Sequence, residues 1–499
     1  MALRDAYCLK TKFTNLKIKI QNGISRLITQ QNIMKKSISP WLSLAIVLTA
    51  PLLSVIDVFI INVAIPSIKV GVHANNAEVQ LVIAGYLLGY ASFLITGGRS
   101  GDHYGRKKIF LWGMIGFTIF SCLCGLSQTP LQLNAMRFFQ GVTAAFMVPQ
   151  AIAFIQVLFT DAKDRSKAFG WFGITLGMAS IIGQVLGGYF SGGHFFVEGW
   201  RLIFLINLPI GILALLAAHF FLPETTKHTG TKLDLSGVVI LTAGLFSLII
   251  PLIVGRESGW PWWSFALLIA AVVIFIYFFY DQRRKKTAGT TPLVDEDLFK
   301  FRDFNFGLAA VLFHFMLHTC YLFLSAYFLQ SGLGVKPLVA GLYFIAPGIL
   351  FTISSVTAGK LIPKYGTPVV QVGVVIILIT FGLQILLFKT GASVFTLFIL
   401  QALYGLGNGL VLPSLLNVTL RSLPPTYAGA AAGLYSTVQQ TASALGICLI
   451  GGLFFYLTDK FHSVQLAYHY ALAVQIGCAV MVGIMLLCLP RVVKAVPKA

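Results

Sequence analysis

Charge is what this 499-residue chain has least of: 10% of its residues are Asp, Glu, Lys or Arg, against about 25% in water-soluble domains. With 57% hydrophobic residues and a mean hydropathy of +0.84, a soluble globular fold is excluded. Ten-residue stretches of alternating polarity are missing, which argues against a β-barrel. No GxxxxGK[ST] phosphate loop is present, so nothing points to ATP hydrolysis as a driving force. The seven cysteines include no CxxC pair and six fall in apolar runs, so they read as packing residues rather than metal ligands or disulfides. Residues 1–40 lack the apolar core of a cleavable signal peptide and read as a basic cytoplasmic extension with no assigned function. Met34-Lys35-Lys36 would itself make a plausible start.

What is present comes in apolar runs of about 20 residues, the length a helix needs to cross a bilayer. The polar breaks between them place spans near 43–66, 78–97, 109–127, 131–157, 168–191, 201–222, 235–254, 263–280, 304–328, 338–359, 368–388, 394–420, 429–456 and 466–489. The expected fold class is therefore an all-α polytopic membrane protein. The net charge of +20 invites a nucleic-acid reading, and its distribution rejects it. Of the 36 Lys and Arg, 29 fall on the side of the N-terminus. That asymmetry is the positive-inside pattern, which predicts an even number of spans with both termini cytoplasmic. The basic excess is then topology and attraction to anionic lipid.

One stretch organises the rest. Arg137–Pro149 puts a permanent cation into a segment apolar enough to span. It recurs in the second half, where Gln401, Gly405, Gly409 and Pro413 repeat the spacing of Arg137, Gly141, Ala145 and Pro149 with a neutral amide in place of the guanidinium. Among the 16 acids, Asp57 alone lies well inside a span. An ionisable group there costs about 2.5–3.5 kcal/mol even on the mild insertion scale, so it is a functional candidate. Counting residues from the span ends puts Asp57 and Arg137 both roughly 10 Å below the surface, which allows a pair. A static ion pair that only orders the helices is the competing reading.

Other features are less specific. Gly98–Lys108 reads as a tight, positively charged turn in which Asp102 accepts from a helix N-terminus or a basic side chain. Its echo at Gly359–Gly366 loses the acid. Gly173, Gly177, Gly183, Gly187 and Gly188 give the fifth span a small face for close helix approach and sliding. His314 and His318 share a helical face and suit proton relay, substrate contact or a hydrogen-bonded structural role. Phe313, Phe315, Tyr321, Tyr327 and Tyr343 serve either a cavity lining or packing. Trp260, Trp262 and Trp263 fit an interfacial belt. The loop 281–303 reads as a solvated charged link.

Four motifs in order carry a family resemblance over roughly residues 41–490. Asp57–Pro66, Gly98–Lys108, Arg137–Pro149 and Trp200–Gly211 resemble the helix-one signature, the loop between helices 2 and 3, the helix-four motif and the sixth-helix hallmark of the major facilitator superfamily, in its fourteen-span drug:proton antiporter branch. The resemblance implies two six-helix bundles, 41–222 and 304–490, flanking a two-helix insert at 223–303, with a tail at 491–499. It implies a proton-coupled exporter of amphipathic compounds, with no cofactor beyond the proton gradient. The candidate proton-coupling and substrate cavity comprises Asp57, Arg137, Asn62, Gln140, His314 and His318. Gly98, Asp102, Gly105, Arg106 and Lys107 would form a conformational-switch loop. Gly141, Pro149, Gly183, Gly187 and Gly188 would form a helix-packing motif. The family's antiporter motif has Gly-Pro where this chain has Gly183-Gln184, a departure that bears on transport direction rather than fold. Import, a dedicated metabolite or siderophore as substrate, and a non-transporting receptor stay open alternatives. The expected partners are a small-molecule substrate and the lipid bilayer of a bacterial inner membrane, with no nucleic acid. A monomer is expected, working alone or with envelope proteins.

Overall fold

The computed structural model describes residues 39–193, 195–225, 233–388 and 393–489. Nearly all of the basic extension, the tail 491–499 and Lys389 lie outside the described residues. The chain divides into two units, Met1–Ser43 and Leu44–Ala499. In the first, the Ser39 carbonyl accepts from the amides of Leu42 and Ser43 and opens a helix at Pro40. All packing described below lies within the second.

Fourteen helices are long and apolar enough to cross a membrane. They are α1 Pro40–Gly71, α2 Asn76–Tyr104, α3 Arg106–Leu126, α4 Pro130–Leu158, α5 Lys163–Gly192, α6 Gly199–Phe221 and α7 Leu235–Gly255. The second seven are α8 Trp262–Thr287, α9 Arg302–Gly332, α10 Pro337–Ile362, α11 Pro368–Leu387, α12 Phe395–Leu420, α13 Ala428–Phe461 and α14 Val464–Leu487. Each coincides with one expected span, and no strand occurs among the described residues. Starts follow local chemistry. Asn75 and Glu78 form a capping box before α2, and Pro130, Pro337 and Pro368 occupy first-turn positions where a missing N–H is harmless. Among the described residues of the second unit, most Lys and Arg lie at the connections after the even-numbered helices and the helix ends beside them; this side is called the basic face below.

The turn expected over Gly98–Lys108 is corrected. Helix α2 runs on through Gly98 and Gly101 to Tyr104, and the chain turns at Gly105 alone, with φ +101°. The inner glycines serve close packing instead. A Cβ on Gly97 would strike the Ala145 carbonyl, and one on Gly101 the Gln150 side chain, both on α4. The same holds further along this pair, where Gly89 abuts the Phe138 backbone and Gly141 the Tyr86 carbonyl. In the second half Gly405 sits on the Pro347 backbone and Gly409 on Phe351, so the repeated stripe seats α12 on α10 as it seats α4 on α2. On α5, Gly183 and Gly187 let the Ile56–Ile60 backbone of α1 approach, and Gly188 meets Pro337 and Leu338 of α10. Gly173 has nothing within 4 Å of its Cβ position.

The link between α8 and α9 is not simply solvated. Lys285 reaches Asp234 at 2.7 Å, Gln282 donates to the same carboxylate at 3.0 Å, and the Leu293 amide does so at 3.1 Å. Burial pushes the Asp234 carboxyl up, but the hydrogen bonds from Lys285, Gly237 N–H and Gln282 outweigh it and hold it below its ordinary value. Asp297 lies between Lys286 at 2.5 Å and Lys300 at 2.7 Å, which lowers its pKa to about 2. Arg99 of α2 donates to the Pro292 carbonyl at 2.8 Å, and Tyr427 donates to Asp297 at 3.3 Å. Every acid in this stretch has a nearby cation, so charge here orders the link.

Candidate functional site

Helix α1 carries Asp57 at a position with no solvent exposure, and α4 carries Arg137 at 1%. The two meet: Arg137 Nη1 donates to Asp57 Oδ2 at 2.5 Å. Because α1 continues to Gly71, Asp57 is deeper along its own helix than the 10 Å estimate allowed, while Arg137 sits two turns into α4. Contact between the helices, rather than equal counts from the span ends, makes the pair.

Both ions are ringed by neutral partners. Gln140, one turn below Arg137 on α4, accepts from the guanidinium at 2.7 Å and donates to Asp57 Oδ1 at 2.8 Å. Asn207 of α6 donates to the same oxygen at 3.3 Å and to Ser121 of α3 at 2.9 Å. Arg137 Nε is taken by the Val82 carbonyl of α2 at 2.9 Å, and its guanidinium carbon lies 4.4 Å from the Tyr86 ring centroid. Tyr86 hydroxyl pairs with Ser54 at 2.7 Å. Five helices thus converge on one carboxylate–guanidinium couple. Removing two ions from water is expensive, and only dense hydrogen bonding makes such a burial tolerable. The Asn207 Oδ1 atom is buried without a hydrogen-bond partner among the described residues.

The remaining candidates lie elsewhere. Asn62 is buried on α1 with its Oδ1 unpartnered, and no hydrogen bond joins it to Asp57 among the described residues. His314 and His318 lie on α9, apart from the couple. His314 Nε2 pairs with Asn408 Oδ1 at 3.1 Å, His318 Nδ1 with the Tyr404 hydroxyl at 2.7 Å, and the rings stack on each other. Those contacts hydrogen-bond both rings to α12. Phe315 and Tyr321 are buried in packing. At the basic face Asp102 pairs with Arg106 at 3.0 Å, Arg106 reaches the Ala153 carbonyl at 2.7 Å, and Lys107 reaches the His219 carbonyl at 2.8 Å. Of the switch-loop residues, Gly98 faces Pro149 and Gly105 makes the turn; the cluster ties α2, α3, α4 and α6 together and does not touch Asp57. Six free cysteines are found among the described residues. Asn207, Ser121 and Tyr86 were missed in the sequence. Asn207 stands in the Trp200–Gly211 stretch, and a lone amide inside an apolar span was the available signal.

A bundle of fourteen membrane-length helices with a hydrogen-bonded ion pair sealed in its interior is the build of a membrane transport protein. The Major Facilitator Superfamily model matches residues 47–242 and again 234–447, more than half of the chain. The chain belongs to that superfamily. It is 33% identical over 423 residues to a probable actinorhodin transporter of Streptomyces coelicolor, covering 83% of this chain and 72% of the relative. It is 30% identical to a puromycin resistance protein of Streptomyces alboniger, covering 82% and 81%. Identity to a tetracenomycin C resistance and export protein of Streptomyces glaucescens is 29%, covering 83% and 76%. Among solved structures, a D-xylose-proton symporter superposes with TM-score 0.65 at 14% identity, covering 89% of this chain and 97% of the other. That likeness shows the fold.

Proposed function

We propose that the chain is a proton-coupled antiporter that exports amphipathic, drug-like small molecules, with the basic face and both termini in the cytoplasm. The observation that carries this is the fully buried Asp57–Arg137 couple with its neutral donors. Protonation releases Asp57 from Arg137, and deprotonation restores the pair or leaves the carboxylate to a cationic solute. Proton and solute then exclude each other at one carboxylate, which is what exchange in opposite directions requires. Rocking of the two halves about this buried position would expose it to each side in turn. The excess of Lys and Arg on one face supports the orientation, and relatives in Streptomyces, Mycobacterium and Bacillus support a bacterial plasma membrane. A single small-molecule substrate at a time, a surrounding bilayer, a monomeric chain and no cofactor beyond the proton gradient complete the proposal.

The relatives' names direct the first assays. Puromycin, tetracenomycin C and actinorhodin are the compounds to offer purified protein in proteoliposomes under an imposed pH gradient. Uptake driven by the gradient in wild type and lost in Asp57→Asn supports the proposal. Full coupled exchange by Asp57→Asn would sink it. An exporter or importer dedicated to one specific metabolite or siderophore is the second reading, favoured by a relative named for a single compound, actinorhodin; transport of one compound and none of the others would distinguish it.

A further inference from the structure

Two grooves open on the surface of the bundle at opposite faces, alike in size and unlike in charge. The first, about 410 Å³, lies at the basic face, where α9 begins and α14 ends. Arg302, Asn305, Phe306 and Ala309 of α9 line it, with Met485 of α14 and Lys300 of the link. The second, about 480 Å³, lies at the opposite face between the starts of α10 and α12. Leu342, Tyr343, Phe395 and Phe398 line it beside the Ser393 hydroxyl, and no charged side chain among the described residues does.

The cations of the first groove are not used up within the protein. Lys286 holds Asp295 at 2.6 Å and Asp297 at 2.5 Å, and Arg283 faces Glu296 at 3.9 Å. Lys300 adds a second partner to Asp297 at 2.7 Å and stays 76% exposed. Asp303, next along the chain, lies in the field of Arg421 at the end of α12. Arg302 is exposed and forms no ion pair among the described residues; its guanidinium carbon stands 5.4 Å from the Phe306 ring centroid. Asn305 donates Nδ2 to the Phe299 carbonyl at 2.7 Å, which leaves its Oδ1 as an acceptor at the groove wall. Ile484 and Leu487, beside Met485 on α14, are exposed apolar side chains on a membrane-length helix, the surface that lipid chains cover.

We propose that this groove seats one anionic phospholipid of the leaflet at the basic face, its phosphate between Arg302 and Lys300. Arg302 is the first residue of α9, so it stands where the helix leaves the hydrocarbon and where lipid phosphates lie. A guanidinium presents a planar fork that matches a phosphate, and an ammonium adds a compact point charge. Phe306, Ala309 and Met485 give the glycerol backbone and the upper acyl carbons an apolar floor. The Asn305 acceptor suits a headgroup that carries a hydroxyl, as phosphatidylglycerol does. A phosphocholine headgroup would bring its own ammonium towards two cations and is disfavoured. The groove at the opposite face offers acyl chains a floor and offers a phosphate no counter-charge. Lipid retention is independent of the antiport reading, and neither result on one bears on the other.

Native mass spectrometry of the purified full chain in neutral detergent, titrated separately with phosphatidylglycerol and phosphatidylcholine, tests this. Wild type is expected to retain one phosphatidylglycerol at concentrations where phosphatidylcholine is not retained. Lys300→Gln with Arg302→Gln should weaken phosphatidylglycerol retention about fivefold for each charge removed. Lys360→Gln with Lys364→Gln, at the end of α10, removes the same charge from exposed side chains elsewhere on the basic face and should retain the lipid as wild type does. Lys286 still holds Asp297 in the first pair, so its lipid-free melting temperature should match wild type. Should it fall, Arg302→Gln alone, which breaks no ion pair among the described residues, carries the comparison with an expected loss of about fivefold. Unchanged retention after removal of the groove cations, an equal loss in both pairs, or equal retention of the two lipids by wild type overturns the proposal.

Discussion

Neutralising one ion of the Asp57–Arg137 couple should be far more damaging than neutralising both. In Asp57→Asn the guanidinium keeps Gln140 Oε1 at 2.7 Å, the Val82 carbonyl at 2.9 Å and the Tyr86 ring, but loses its counter-charge in a place 1% exposed. In Arg137→Gln the carboxyl group keeps Gln140 and Asn207 and loses its cationic partner. Breaking a buried pair from one side costs about 3–5 kcal/mol, and the retained hydrogen bonds put both single variants near the lower figure. The double variant buries no net charge and resembles the neutral pairing at Tyr321 and Gln401. Its cost should be that of imperfect amide pairing, about 1–2 kcal/mol. Two singles of about 3 kcal/mol each against a double of about 1–2 give an interaction energy of about 4–5 kcal/mol, beyond the range of about 0.5–3 usual for residues in contact. Equilibrium unfolding in mixed micelles with a denaturing detergent, read by tryptophan fluorescence, measures all four species. If the double variant loses as much as the two singles together, the ions are not charge-coupled and the reasoning from burial is refuted. All three variants should be inactive in gradient-driven transport, including the stable double.

Gly141→Val would press its branched side chain onto the Tyr86 carbonyl of α2, where backbone cannot yield; overpacking of about 1–3 kcal/mol should show as a lower melting temperature and wider spacing in α2–α4 cross-linking. Arg256 at the end of α7 donates to the Gly452 carbonyl of α13. Arg256→Ala should destabilise by about 1.5–3 kcal/mol through loss of a hydrogen bond from a charged donor and raise hydrogen exchange around 447–455, and unchanged exchange there would contradict the contact. Asp297 has its pKa depressed to about 2 by Lys286 and Lys300, so what it contributes is present above the ordinary carboxylate value and is lost as pH falls through about 2. Exchange protection of residues 295–300 should hold from neutral pH down to the ordinary carboxylate range and fall only below it; loss near neutrality would show that another group holds the link.

Much of this protein could be read without coordinates because a bilayer is an unforgiving solvent. Every backbone polar group in hydrocarbon must be satisfied locally, so length and hydropathy alone placed all fourteen helices. The helix ends were less legible. Running α2 on to Tyr104 depends on Gly97 and Gly101 meeting α4, and the single turn depends on one positive φ at Gly105. Two members of the site, Asp57 and Arg137, declared themselves by the cost of burying charge. Asn207, Ser121 and Tyr86 did not, since a neutral polar residue in a span is affordable for many reasons. Conversely, His314 and His318 carried a functional pattern and proved to be bound to Asn408 and Tyr404 in a different cluster.

The amino-acid order by itself determined that the chain spans a membrane fourteen times, which face is basic, and that one half carries an intramembrane ion at a position where the other carries an amide. Hydrophobicity, charge count and spacing are properties of segments, and segments need no neighbours to have them. Which side chains meet was decided only by the tertiary structure: the carboxylate of α1 held by α4 and α6, and the Tyr321–Gln401 pair that mirrors it. Those contacts depend on how small residues let separate helices approach, and no single helix contains that information.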